Sequence, residues 1–284
     1  MARATETTGT LLPGTRRLLA VASLLVLAAG GQLFVLTDHT DRFFAWTIQT
    51  GLTAAALGAF YWASLALLVV ALRAGSWADV RSVLPGVALF TTLTLVATIL
   101  HVGLFHVHSA QAVTRLVTWA WILVYVVAPP AFAAAYAVQL RRAGAVPSRS
   151  MPMRPWFRAS FGALGAALVG LGVGLFVAPD TIGAIWPWQL TTLTAQALGA
   201  WLVGIGAVLV GAVVEGDHLR AVPAAAAAVA LAGLVIVAVA RYSADVRWDR
   251  GQGEILLAVA IILGLGGGYV LTKAGFTRGY PRAT

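Results

Sequence analysis

A chain of 284 residues with 60% hydrophobic and only 10% charged side chains cannot cover a water-facing surface, because soluble domains carry about 25% charged residues. The composition excludes a disordered chain, which needs low hydrophobicity and high charge. The absence of cysteine excludes a disulfide-stapled domain, thiolate metal sites and iron–sulfur clusters.

The net charge of +9 would suggest nucleic acid in a soluble domain. Here the basic residues stand in short runs beside apolar segments, as in Arg16-Arg17, Arg141-Arg142 and the stretch from Arg149 to Arg158. They read as topology determinants facing an anionic leaflet, and no nucleic-acid partner is expected. Eighteen of the nineteen basic residues are arginine. With the abundant Ala, Gly and Val, this is the composition of a high-GC bacterial gene.

Eight segments reach the roughly 20 apolar residues that a spanning helix needs: 18–36, 46–72, 82–105, 115–139, 158–178, 190–214, 220–240 and 254–273. The first has the marks of a signal peptide, with Arg16-Arg17 before an apolar run and small residues at Ala28–Gly31. The run continues through Leu33–Leu36, and the repeat described below needs this helix, so it reads as a retained span. Pro129-Pro130 removes two backbone donors from the fourth span and predicts a bend. The run Gly266–Gly268 would permit a break in the eighth. None of the connecting segments is long enough to hold a soluble core.

With the N terminus inside, fourteen of the nineteen Lys and Arg, among them Arg3, Arg278 and Arg282, fall on the inner side and five on the outer. The positive-inside bias therefore places both termini in the cytoplasm of a bacterium, with the chain in its inner (plasma) membrane.

An internal repeat is the most informative feature. Residues 50–59 read TGLTAAALGA and residues 191–200 read TTLTAQALGA, identical at eight of ten positions with an offset of 141. Leu33-Phe34-Val35 with Asp38 recurs as Leu175-Phe176-Val177 with Asp180, and Arg81 with Pro85 recurs as Arg220 with Pro223. The expected fold is an all-α integral membrane protein of eight transmembrane helices in two four-helix repeats. Residues 1–140 form the first, 141–157 a cytoplasmic linker, and 158–284 the second. Four spans return the chain to its starting side, so the repeats are parallel, about a pseudo-two-fold axis along the membrane normal.

Thr50, Thr53 and Gly58 share a broad helical face, as do Thr191, Thr194 and Gly199. Small residues let helices approach closely and threonine hydroxyls bond across the contact, so these faces read as packing surfaces between or within the repeats. They are also the candidate walls of a substrate cavity. Gln196 stands where the first repeat has Ala55, and its buried amide needs partners. That reading favours an interhelical bond.

His39, His101, His106 and His108 are candidate metal ligands near the outer side, and only His101 is deep enough to serve a haem. No cofactor is expected, with haem and divalent metal left open. No charged residue stands at the middle of a span, which disfavours proton- or ion-coupled transport. No nucleophile set, Walker loop or Rossmann loop is present, so enzymatic activity is not expected.

The stretch Trp186 to Trp201, WPWQLTTLTAQALGAW, resembles a recurring segment in uncharacterised polytopic membrane proteins of actinobacteria. The resemblance covers about sixteen residues. It implies a lineage and a membrane location and transfers no residue roles. The first half departs from it, with Ala45-Trp46-Thr47 in place of the Trp-Pro-Trp element.

The expected function is a non-enzymatic helical bundle that binds membrane lipid, or another membrane protein or a second copy of itself. A small-molecule transporter or channel using the cavity between the repeats is the first alternative, and a haem- or metal-bearing redox component the second.

Overall fold

The computed structural model describes residues 9–74, 76–144 and 148–278, with side chains up to residue 275. Arg3 and Arg282, the side chain of Arg278 and residues 145–147 of the expected linker lie outside the described residues. The fold is all-α. Eight long helices carry it: α1 (Pro13–Phe34), α2 (Gly51–Arg73), α3 (Val83–Leu100), α4 (Ala112–Arg142), α5 (Pro155–Val177), α6 (Thr192–Glu215), α7 (Val222–Arg241) and α8 (Gln252–Arg278). All eight are long and apolar enough to cross a bilayer, and the chain is a multi-pass helical membrane protein.

Local chemistry explains where these helices start and stop. Pro13 and Pro155 open α1 and α5 at a position where a missing N–H costs nothing. A capping box between Thr191 and Thr194 opens α6. Gly216, with φ of 63°, closes α6 in the left-handed conformation that a side chain would resist. The third expected span is cut short, because His101 leaves the helical register and a single 3-10 turn, Val102–Leu104, follows. Two expected interruptions do not end their helices. α4 continues through Pro129-Pro130, and α8 continues through Gly266–Gly268. The space beside Gly266 is taken by the Phe161 ring, and a Cβ on Gly267 would lie 2.7 Å from the Ala225 carbonyl oxygen. Gly266 and Gly267 serve close packing, whereas a Cβ on Gly268 would meet nothing within 4 Å.

Successive helices in the sequence are not always partners in space. α1 packs on α2, α3 on α4, α5 on α6 and α7 on α8, but α2 lies as extensively against α7 as against α1, and α6 also packs against α3. α2 and α6 are therefore the two central helices and the most buried, whereas α4 and α5 present most of their surface outward. Glycine allows the approach. A Cβ on Gly58 would lie 2.5 Å from the Phe34 backbone nitrogen, one on Gly199 2.6 Å from the Gly172 oxygen, and one on Gly86 2.7 Å from the Gly204 oxygen. Without a hydrophobic drive between helices in lipid, such van der Waals contact is what associates them.

The end of the bundle where α1 begins is called proximal here and the opposite end distal. Short backbone contacts tie the proximal connections, with Trp77 N donating to Gly9 O at 2.6 Å and His218 N to Met151 O at 2.9 Å. The distal connections are tied likewise, His106 N to Ala45 O at 3.0 Å and Arg247 N to Pro187 O at 2.7 Å.

Gly199→Ala is expected to lower thermal stability in detergent, by about 1–3 kcal/mol, because the added methyl meets backbone rather than a yielding side chain. Gly170→Ala, where an added Cβ meets nothing within 4 Å, is expected to cause no loss. Equal melting shifts for the two variants would contradict this packing.

Candidate functional site

The residues singled out in the sequence are dispersed between two central helices. The Thr53 hydroxyl is buried and accepts a 2.8 Å bond from the Trp188 indole. Thr50 precedes α2 without capping it through its side chain, and Thr191 and Thr194 complete the cap of α6. Gly58 is packed on α1, and Gly199 on α5.

Gln196 bridges two neighbours of α6. Its Nε2 donates to the Phe176 carbonyl at 3.1 Å and its Oε1 lies 2.8 Å from His101 Nε2. A carbonyl can only accept, so the amide orientation is fixed and His101 Nε2 must carry the proton. His101 is thus committed as a hydrogen-bond donor across the α3–α6 contact. His106 is committed too, with Nδ1 donating to the Phe44 carbonyl at 3.2 Å and Nε2 3.0 Å from the Thr47 hydroxyl. His39 and His108 are exposed, and His39 sets its ring edge-on to Phe43. Among the described residues, no three His, Asp or Glu side chains group to hold a metal ion.

Sequence reasoning missed two features. The first is a buried carboxylate at the proximal end. Glu215, the last residue of α6, receives Arg81 Nε on Oε1 and Arg220 Nη1, at 3.2 Å, on Oε2. Arg149 Nε donates to the Glu215 carbonyl at 2.7 Å and Arg158 Nε to the Val213 carbonyl at 2.9 Å. Guanidinium groups there meet the partial negative charge of the helix end and satisfy carbonyls that have no helical partner. A desolvated carboxylate is tolerable only with such partners. Recurrence of Arg81 as Arg220 was visible in the sequence; their convergence on one acid required the fold.

The second is an apolar cavity of about 460 Å³ toward the distal end. Its walls come from α2 (Leu52, Ala56, Phe60), α5 (Leu164, Leu168, Leu171), α6 (Leu202, Ile205), α7 (Leu231, Val235, Val239) and α8 (Leu256, Val259, Leu263), with Trp186-Pro187-Trp188 across the distal rim. Exposed Ile185, Ile255 and Ala167 also line it, so it reaches the protein surface. None of Thr50, Thr53, Thr191, Thr194 and Gln196 is in its wall. Thr53 touches it at one remove, by holding the Trp188 ring. At the rim, the Trp186 indole N–H and the Gln252 amide oxygen are buried without hydrogen-bond partners.

The other side of α2 and α6 is filled instead. Phe90 stacks on Trp201 with ring centroids 3.7 Å apart, Trp46 lies 5.1 Å from Trp121, and the Tyr61 and Tyr125 hydroxyls bond at 2.6 Å. These rings leave a gap of only about 10 Å³.

Comparison with protein-family models, with curated proteins and with solved structures gives no match for the chain.

His218 lies in the proximal connection against Phe157 and Tyr269. Burial holds its imidazole below the ordinary value, with Asp217 opposing the shift and Lys273 adding to it. The unfolded chain then binds a proton more readily than the folded one. Stability is expected to fall as pH drops below about 6.5, the unperturbed value, and to level off below the folded value. Melting of wild type and His218→Gln across about pH 7 to 5 reads this directly. The variant should lose part of the decline, and parallel curves would contradict it.

Proposed function

We propose that the chain is a non-enzymatic membrane bundle of two parallel four-helix repeats that binds lipid. The observation that carries the lipid reading is the surface-reaching cavity with an almost wholly aliphatic and aromatic wall. A cavity of that character stays dry, and its wall gains dispersion contacts only from an apolar occupant. In a bilayer the abundant apolar molecules are lipids.

Paired contacts support the repeat. The bridges Thr10–Ser76 and Pro152–Asp217 occur 141 or 142 residues apart. So do the bonds from Trp77 to Gly9 and from His218 to Met151, and those from His106 to Ala45 and from Arg247 to Pro187. Arg16 reaches the Leu72 carbonyl as Arg158 reaches that of Val213. Short 3-10 turns follow α3 and α7 at matching places. Exchanging residues 1–140 with 158–284 preserves the helix pairing: α1–α2 becomes α5–α6, α3–α4 becomes α7–α8, and α2–α7 becomes α6–α3. A pseudo-two-fold axis along the membrane normal accounts for all of these at once.

The bias of basic residues toward the proximal end supports a cytoplasmic proximal face, with both termini inside a bacterial plasma membrane. The cavity then opens in the outer half of the bilayer. An aqueous solute would find few polar partners in that wall, so the carrier reading gains no support from it. The haem reading is weakened by His101, whose Nε2 proton is already given to Gln196.

Native mass spectrometry of the folded, detergent-purified protein is expected to show lipid adducts that survive detergent exchange. A bare polypeptide mass from protein that still melts cooperatively would overturn the lipid reading.

A further inference from the structure

Resting on the lipid-binding reading, the geometry points to a more specific occupant. We infer that the cavity takes one hydrocarbon chain of a lipid in the distal leaflet, and that the corresponding space on the other side of α2 and α6 holds none.

Depth is the first argument. The lining residues run from Leu52 to Phe60 on α2, from Leu231 to Val239 on α7 and from Ile255 to Leu263 on α8. Each stretch advances eight residues, about 12 Å at 1.5 Å per residue. One leaflet contributes about 15 Å, half of a hydrocarbon core of roughly 30 Å. A chain entering from the distal leaflet therefore keeps its natural depth and direction.

Access is the second. α5 and α8 are closed together toward the proximal end, where Phe161 covers Gly266 and Phe157 packs on Tyr269. Toward the distal end the wall includes exposed Ala167 of α5 and exposed Ile255 of α8. The opening is lateral, toward lipid, and a chain can enter while its polar end stays at the bilayer surface.

The third argument is the contrast between halves. Positions 141 or 142 residues before cavity-lining Leu202, Leu231 and Leu263 carry Tyr61, Phe90 and Trp121. Those three rings line the residual 10 Å³ gap. Aromatic side chains occupy in the first half the volume that leucines leave accessible in the second. The aromatic cluster is thus a built-in plug, and the expected stoichiometry is one chain per protein.

The test uses the full-length protein in phosphatidylglycerol vesicles carrying a trace of the same lipid with a photoreactive diazirine midway along one acyl chain. Cross-links are mapped by mass spectrometry. Labelling is expected at cavity residues such as Leu168, Ile205 and Val235, beyond the general labelling of exposed Leu123 and Val126 on α4. Leu263→Trp, which installs the aromatic of the first half, should reduce cavity labelling about tenfold relative to α4, the scale of an overpacked site. Leu231→Phe serves as a second filling variant if the first melts early. Cavity labelling that both variants leave unchanged would overturn the inference. So would labelling confined to exposed helices, even with lipid adducts retained in the mass spectrum; the lipid-binding reading would then survive without this site. A dimer that Leu263→Trp dissociates would make the cavity a protein contact and overturn the inference as well. A free long-chain alcohol that competes out the labelled lipid would show that the chain alone is recognised; failure to compete would assign part of the affinity to the headgroup.

Discussion

Close approach of helix backbones at α2 and α6 is the constraint on which the rest of the architecture depends. Each central helix is held on one side by a helix of its own half and on the other by a helix of the opposite half. Lipid supplies no solvent pressure to drive such contacts, so they need surfaces without side-chain bulk. Gly58 supplies such a surface between α1 and α2, Gly199 between α5 and α6, and Gly86 and Gly204 between α3 and α6. Since α2 leans on α7 and α6 on α3, neither half encloses its own central helix, and the halves interlock.

Two consequences follow at opposite ends of the bundle. Proximally, the interlock brings Arg81 of the first half and Arg220 of the second to the same carboxylate, Glu215. An uncompensated partner in that buried group would be costly, so the group fastens the halves in one register. Distally, the same arrangement surrounds two comparable spaces beside α2 and α6. One is packed with rings and the other is lined by aliphatic side chains and open to the surface. Polar fastening thus stands at one end of the bundle and an accessible apolar space at the other.

Much of the fold was legible because a spanning helix is a local, compositional object. The expected span 190–214 corresponds to Thr192–Glu215, and 158–178 to Pro155–Val177. The third span was overestimated because apolar Val102, Leu104 and Phe105 extend the hydropathy pattern past the point where the helix stops at His101. Gly58 and Gly199 were recognisable as packing residues, and Gln196 as an interhelical bond, since buried amides must be satisfied. Thr50, by contrast, lies before α2, and Thr191 and Thr194 cap α6 instead of bonding to a neighbouring helix. The cross-half pairing was not legible, because every helix here offers small residues and composition does not choose among partners. The cavity was hidden for a related reason. It arises from leucines on helices far apart in sequence, and its only sequence signal was aromatic residues facing aliphatic ones across the 141-residue offset, beyond the short segment where identity draws attention.

The interlock itself is most directly tested by cross-linking, since the chain has no cysteine of its own. A Cβ on Gly211 of α6 would lie 3.0 Å from the Ser82 Cβ at the start of α3, so a shift of about half an ångström reaches the roughly 3.5–4.5 Å that a disulfide bridges. Ser82→Cys combined with Gly211→Cys is expected to form an intramolecular disulfide when isolated membranes are treated with an added thiol oxidant, with lipid retention and melting behaviour preserved. Absence of that bond in folded protein, or its formation only between separate molecules, would contradict the pairing of α3 with α6.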